Sequence, residues 1–370
     1  MREVLAARTP SLLGLGSGAL AGRLAEALLE LAPSGLDRVF FCNSGSEAVE
    51  AALRFARRAT GRQRVVGLRG GYHGWTAGGD SLTSVEPDDV AAVEAELAGR
   101  EVAALLFEPI QGRGLREPAP EFLRAVEGLC RRTGTLLVAD EVMTGLGRTG
   151  RFFACEHSGV RPDLVLVSKA LSGGLVPVGA VLMAAGVHDA VMGSAARAGS
   201  LFSTFGGNDL AMAAGLAVLE VIRREDLVAR AGALGARLAD GLEAMRSHHR
   251  LLGAPRGRGL MVGVAIDPAG ELDRAVASLA PGLIALRVVS DLAARHQILA
   301  LPAGCGADVV RLLPPAIVEE SEISRVLESL DEVLSRLHGF VGAVAGLVGS
   351  VAGRVATARK RPTTRTATSS

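Results

Sequence analysis

Five short apolar runs in this chain each stop on polar residues that chemistry could use. RVFFC at 38–42 gives way to Asn43-Ser44-Gly45-Ser46, and Val65–Leu68 to Arg69-Gly70-Gly71-Tyr72-His73. Val102–Phe107 stops on Glu108-Pro109, Thr135–Ala139 on Asp140-Glu141, and Leu164–Val167 on Ser168-Lys169. Segments with helical apolar spacing lie between them: Glu47–Thr60, Asp88–Leu97 and Glu121–Thr133. Runs that are apolar throughout are strands buried on both faces, and their alternation with helices is the pattern of a parallel sheet. In such a sheet the carboxyl ends of the strands share one edge, where ligands bind. The expected fold is therefore α/β, with a mainly parallel central sheet flanked by helices. Val178–Met183 adds a further strand.

The pattern changes after a helix running from Asp209 to about Arg224. Strands predicted over Leu260–Ile266, Ile298–Leu301 and Val309–Leu312 are separated by helices such as Pro281–His296, and Ser321–Leu337 closes the series as an amphipathic helix. This divides the chain into an N-terminal segment, 1–37, a large domain, 38–224, and a smaller C-terminal α+β domain, 225–338. The remainder, 339–370, begins with the uncharged GFVGAVAGLVGSVAG and continues into a basic stretch. Its small-residue spacings at Gly342/Gly346 and Gly349/Gly353 would suit helix association or a short anchor. It is shorter than the ~20 apolar residues of a membrane span, so it reads as a flexible extension.

Composition sharpens one position. Of the 40 lysines and arginines only two are lysines, Lys169 and Lys360, and Lys360 belongs to the basic tail. A coding bias toward arginine explains the general scarcity but not the exception. Arginine replaces lysine as a surface charge; it cannot replace an amine that must lose its proton and attack a carbonyl. A lysine that merely snorkels from a strand end is the bland alternative.

Five basic residues and no acid lie beyond Gly353, which leaves 35 basic against 39 acidic residues in the rest of the chain. With a net negative body and 3% aromatics, no nucleic-acid partner is expected. The four cysteines, Cys42, Cys130, Cys155 and Cys305, are far apart and show no metal-ligand spacing. They read as buried thiols of a reducing cytoplasm. No secretory signal and no metal are expected, and a membrane partner is not expected either.

The strand ends offer complementary chemistry. Backbone N–H groups of Gly45 and Ser46, with the Ser46 hydroxyl, could cradle a phosphate at a helix N-terminus, although Ser and Gly open many helices. Tyr72 and Trp75, the single tyrosine and single tryptophan, fall within GGYHGW and offer a surface for a flat ring or for packing. Asp140 and Glu108 end apolar strands, where a lone carboxylate needs a cationic partner. A lysine, an acid for a ring nitrogen, an aromatic face and a phosphate cradle together suit pyridoxal 5'-phosphate.

FCNSGSEAVEAALRFAR, GGYHGW, FEPIQG, VADEVMTGLGRTG, SKALSGG, FSTFGGN, PRGRGLMVGV and VVRLLPP stand in one order and spacing. In these the chain, from about Arg38 to Leu337, resembles the class III pyridoxal-phosphate-dependent aminotransferases of the ornithine, acetylornithine, 4-aminobutyrate and ω-amino acid type. The resemblance implies the fold-type-I architecture of these transferases. It also implies that Lys169 binds the cofactor as a Schiff base and moves protons, and that Asp140 pairs with the ring nitrogen. Val142 would pack beneath the ring, Tyr72 would stack above it, and Gly45 and Ser46 would hold the phosphate. Glu108 would join the cofactor's hydrogen-bond network, and Thr204 would reach the phosphate of the neighbouring subunit in a homodimer with shared active sites. Arg311 would bind a substrate carboxylate bidentately. Arg113 stands where ornithine-type members often carry a glutamate, and would add a second positive charge. Met143 stands where many members have glutamine, as it does in some aminomutases. The N-terminal segment reads as shortened against the family.

The expected activity is ping-pong transfer of an amino group from a carboxylate-bearing ω-amino or α-amino donor to a 2-oxo acid acceptor. The alternatives are an aminomutase of the glutamate-1-semialdehyde type and a truncated, non-catalytic homologue.

Overall fold

The computed structural model describes residues 2–7, 18–194, 203–266, 282–303 and 309–337. The chain divides into two compact units. One holds the described residues of Met1–Asp240 together with Arg256–Gly263 and Leu312–Glu320; the other holds those of Gly241–Pro255, Val264–Arg311 and Ser321–Ser370. The expected boundary at 224/225 falls between two helices, Asp209–Arg224 and Leu227–Met245.

The first unit is built on seven strands: β1 (Arg38–Cys42), β2 (Arg64–Leu68), β3 (Thr83–Val85), β4 (Val102–Phe107), β5 (Leu136–Asp140), β6 (Leu164–Val167) and β7 (Gly179–Met183). Their order across the sheet is β1-β7-β6-β5-β4-β2-β3. The pairings β6–β5, β5–β4, β4–β2 and β2–β3 are parallel, and β7 runs antiparallel between β6 and β1. The mainly parallel α/β sheet is thus the observed one. Because β1 and β6 are both antiparallel to β7, they run in the same direction, and five functional strand ends share one edge.

Every residue of β4, β6 and β7 is buried, as continuous apolar strands require. Alternate side chains feed two cores on opposite faces of the sheet. Leu105, Phe107, Leu137, Val165 and Val167 pack with Leu24, Leu123, Val126 and Met212 on one side. Ala104, Leu106, Val138, Leu164 and Leu166 pack with Ala48, Ala52, Leu53 and Phe55 of the helix Gly45–Thr60 on the other.

That helix is specified at both ends. The Ser44 hydroxyl accepts the Glu47 N–H at 3.1 Å, and the Glu47 carboxylate accepts the Asn43 N–H at 2.9 Å, a reciprocal cap. Gly61 ends it in the left-handed region, φ 71°. Pro120 opens the helix Pro120–Thr133 and Gly134 closes it.

The remaining strands, β8 (Leu252–Arg258), β9 (Met261–Ile266), β10 (Leu301–Pro302) and β11 (Val309–Leu312), form a four-stranded sheet in the order β10-β11-β9-β8. The strand expected over Ile298–Leu301 is confined to Leu301–Pro302, since Gln297 leaves the preceding helix in the left-handed region. The second unit holds β10, the helix Leu283–His296 and most of a helix over 320–337. The Gly/Ala-rich and basic stretch, 339–370, and Cys305 lie outside the described residues. Among the described residues, no helix is long and apolar enough to cross a membrane.

Candidate active site

The parallel register fixes which side chains meet. Phe107 lies opposite Ala139 and Asp140 opposite Leu166, so Glu108, Asp140 and the Ser168-Lys169 pair leave the sheet side by side. They open onto a cavity of about 190 Å³ whose lining includes Gly45, Ser46, Tyr72, His73, Val142 and Lys169. A second cavity, about 440 Å³, shares Val142, Met143 and Lys169 with the first and adds Arg148 and Leu313.

Asp140 is buried and held on both oxygens. Its Oδ2 lies 2.8 Å from His73 Nδ1, and its Oδ1 accepts the Val142 N–H at 3.1 Å. Burial opposes a charge on His73, but the hydrogen bond and charge of Asp140, joined by the charge of Glu108, outweigh it and raise the imidazole above its ordinary value. His73 Nε2 is buried with no hydrogen-bond partner among the described residues.

Glu108 braces the loops on either side. Its Oε2 accepts the Tyr72 N–H at 2.9 Å and its Oε1 accepts the Gly112 N–H at 2.9 Å. Burial, and then the charge of Asp140, push the carboxyl up to about 7, against His73 and the two backbone donors. The folded chain therefore holds a proton that the unfolded chain releases near its ordinary value, and the stability due to this group falls as pH rises from about 4.5 to about 7. Melting temperatures of cofactor-free protein should show this decline in the wild type. In Glu108→Gln the decline over that window should be shallower.

Tyr72 is exposed at its ring, and the Arg113 guanidinium lies over it, 4.3 Å from the ring centroid. The two side chains expected to serve the cofactor face and the substrate carboxylate are thus in contact.

The helix Gly45–Thr60 begins at the cavity, which Gly45 and Ser46 line, so the N–H groups of its first turn make this wall suited to an anion. A Cβ on Gly45 would lie 3.0 Å from a Val142 methyl, and one on Gly74 would lie 2.4 Å from Ser46 Oγ. Gly74, at φ 88°, is the position where a side chain is both strained and crowded against Ser46, whereas at Gly45 the Val142 methyl would have to give by a few tenths of an ångström.

Lys169 is exposed and has φ 33°, an unusual conformation for a side-chain-bearing residue. The β6 strand ends at Val167, Ser168 is anchored by its hydroxyl to the Val178 carbonyl at 2.7 Å, and Lys169 opens a 3₁₀ turn closed by Gly173. The turn thus throws the amine out of the sheet instead of continuing the buried strand.

Two expected residues are not among the lining of this cavity. Thr204 is exposed on the turn 204–207 and is not among its lining. Arg311 belongs to β11 of the second unit, where its Nη2 donates to the Pro302 carbonyl at 3.0 Å. Two lining residues had drawn no role from the sequence. His73 was visible only as part of GGYHGW, and the sole signal was a histidine beside a strand end in a chain with 7 histidines. Arg148, in GLGRTG, is pushed below its ordinary value by burial and donates to the Leu260 and Pro314 carbonyls.

The donor set fits a phosphorylated pyridine aldehyde. A helix N-terminus with glycine-tight walls suits the phosphate, and the buried carboxylate of Asp140 suits a protonated ring nitrogen. Val142 and Tyr72 supply flanks for a ring, and Lys169 supplies an amine.

Comparison with known proteins agrees. The family described as Aminotransferase class-III matches residues 11–88 and 86–334. The aminotransferase PigE of Serratia sp. is 34% identical over 373 residues, covering 86% of this chain, which spans only 44% of that protein. The acetylornithine aminotransferase of Archaeoglobus fulgidus is 38% identical over 322 residues, covering 82% of this chain and 77% of its own. An ornithine aminotransferase structure from Toxoplasma gondii superposes with a TM-score of 0.78 at 31% identity, covering 92% of this chain and 83% of that one.

Proposed function

The chain belongs to the class-III aminotransferase family, and from that premise we propose that it is a pyridoxal 5'-phosphate-dependent aminotransferase. It moves an amino group from a carboxylate-bearing donor, of the ω-amino or α-amino acid class, to a 2-oxo acid. The observation that carries this reading is the convergence of Lys169, Asp140 and the Gly45–Ser46 helix start on one cavity.

When bound, the cofactor supplies an aldehyde carbon to which an amine can be joined and a ring that draws electrons from the adjacent bonds. The chain's own residues do the rest. Gly45 and Ser46 would bind the phosphate through the first turn of their helix. Asp140, on the cavity wall, would hold a ring nitrogen and keep it protonated, because an opposite charge favours the charged form. His73 orients that carboxylate from behind. Val142 and Tyr72 confine the ring, and Glu108 holds the Tyr72 loop in place. Lys169 would hold the cofactor through its amine, and the same amine would accept a proton from the substrate's carbon as general base and return it as general acid.

Arg113 and Arg311 are each proposed as a partner for a substrate carboxylate. Curated relatives named acetylornithine aminotransferase and [LysW]-aminoadipate semialdehyde transaminase support a donor whose amine lies far from its carboxylate. A homodimer with shared sites is the proposed assembly. It is supported by the exposure of Thr204 and of Phe205 beside it. The cytoplasm is the proposed compartment, supported by the buried free thiols of Cys42, Cys130 and Cys155.

A half-reaction screen tests the activity. Single amino donors are added to cofactor-loaded protein without acceptor. The expected result is that an ω-amino acid shifts the bound-cofactor absorbance stoichiometrically and that a 2-oxo acid restores it. Turnover of one substrate with no acceptor requirement would make the protein an aminomutase. No shift with any donor would make it a non-catalytic homologue.

A further inference from the structure

Within the second unit, two adjacent histidines and an aspartate point at one another from separate stretches of chain. His248 and His249 precede β8, and Asp331 lies on the helix over 320–337. His248 Nε2 is 2.8 Å from Asp331 Oδ1, and His249 Nε2 is 2.7 Å from the same oxygen. One ligating atom from each residue lies within 4.8 Å of the others. We propose that His248, His249 and Asp331 form a binding site for a divalent transition-metal ion, of the zinc, nickel or cobalt class, separate from the candidate active site.

The ligand set is the first argument. Two imidazole nitrogens and one carboxylate oxygen are a borderline set that selects zinc and its neighbours over calcium or magnesium. Both rings also offer the same nitrogen, Nε2, to one point. A metal-free arrangement requires both Nε2 atoms to be protonated toward one oxygen, whereas a cation placed between the three groups replaces both protons.

Preorganisation is the second. His249 is buried, its N–H donates to the Met245 carbonyl at 2.9 Å, and its carbonyl accepts the Leu252 N–H at 3.0 Å. The His248 N–H donates to the same Met245 carbonyl at 3.2 Å, and Ser247 Oγ lies 3.2 Å from His248 Nδ1. Ser247 thus stands where an outer partner fixes the ring orientation of a ligating histidine. Asp331 is set on a helix whose neighbouring Leu330, Val333 and Leu334 are buried. Ligands carried on fixed backbone lose little freedom when an ion arrives.

Access is the third. The side chains of His248 and Asp331 are 56% and 46% exposed, so a hydrated ion reaches the site and keeps water in its open positions. Bonds of ~2.0–2.1 Å at tetrahedral angles place ligand atoms ~3.3 Å apart, so each contact must open by roughly half an ångström. The exposed side chains of His248 and Asp331 can make those adjustments together. A bound ion would tie the turn before β8 to the closing helix.

The test uses the full, untagged, cofactor-loaded chain after dialysis against a chelator. Calorimetric titration with zinc chloride is expected to give one equivalent per chain, and cobalt chloride is expected to give visible ligand-field bands. His248→Ala and Asp331→Asn should each weaken zinc binding by more than about tenfold and abolish the bands, with the aminotransferase half-reaction unchanged. Zinc should raise the melting temperature of the wild type and not that of His248→Ala. The proposal is overturned by binding below one equivalent, by titrations that the variants leave unchanged, or by variants whose melting temperature falls with no metal dependence in any form.

Discussion

Lys169→Arg is expected to abolish turnover while the protein stays folded. The substitution keeps the positive charge and a long side chain, so a lysine that merely snorkels or pairs with an anion would tolerate it. A lysine that must act as a neutral amine would not. A guanidinium does not deprotonate in a protein, so covalent attachment of the cofactor and proton transfer are lost together. General acid–base catalysis alone is worth roughly 10²–10⁴-fold, and removing covalent attachment adds to that. Turnover should therefore drop by at least ~10³-fold, with loss of the absorbance of covalently attached cofactor and an unchanged melting temperature of the cofactor-free chain. Residual turnover near that of the wild type would remove Lys169 from the mechanism.

Asp140→Asn is expected to give the second largest loss. Asparagine is nearly isosteric, and its side-chain oxygen can still accept the Val142 N–H, as Asp140 Oδ1 does at 3.1 Å. What goes is the buried charge. Without it the ring nitrogen loses the partner that keeps it protonated, and His73 loses the principal interaction that raises it. Removal of one preorganised electrostatic contact in a dry site costs roughly 10²–10³-fold in kcat. Cofactor should remain bound through the helix start and Lys169. A loss of cofactor with no effect on kcat of the loaded fraction would make Asp140 a structural cap instead.

The architecture was legible because the sheet is simple where it matters. Apolar runs buried on both faces, each ending in a polar residue, announce parallel strands, and parallel strands bring Glu108, Asp140 and Lys169 to one edge. Direction was not legible at β7, because GAVLM is buried throughout whichever way it runs. β3 is three residues at the sheet's edge, too short for a pattern to show. β8 carries Gly253, Pro255 and Gly257, which read as a turn. Gly257, at φ 95°, lies where a Cβ would come within 1.9 Å of the Met261 carbonyl oxygen, so its glycine serves the close approach of β9.

In the candidate site, residues that end strands could be named in advance, whereas residues that act through others could not. His73 sits five positions beyond β2, and nothing local marks it. Its partnership with Asp140 spans 67 positions of sequence. Arg148 is similar: its partners, the carbonyls of Leu260 and Pro314, come from distant loops and carry no side-chain signal.

The backbone at Lys169 sets two demands against each other. A φ of 33° is a conformation in which glycine rests easily and any side chain is strained. As architecture alone, this position would accept glycine with relief, yet the proposed chemistry has use only for an amine. Mutational drift toward a steadier fold and selection for reactivity therefore pull on this one codon in opposite directions. A descendant freed from catalysis would be under conformational pressure to exchange its lysine here for glycine.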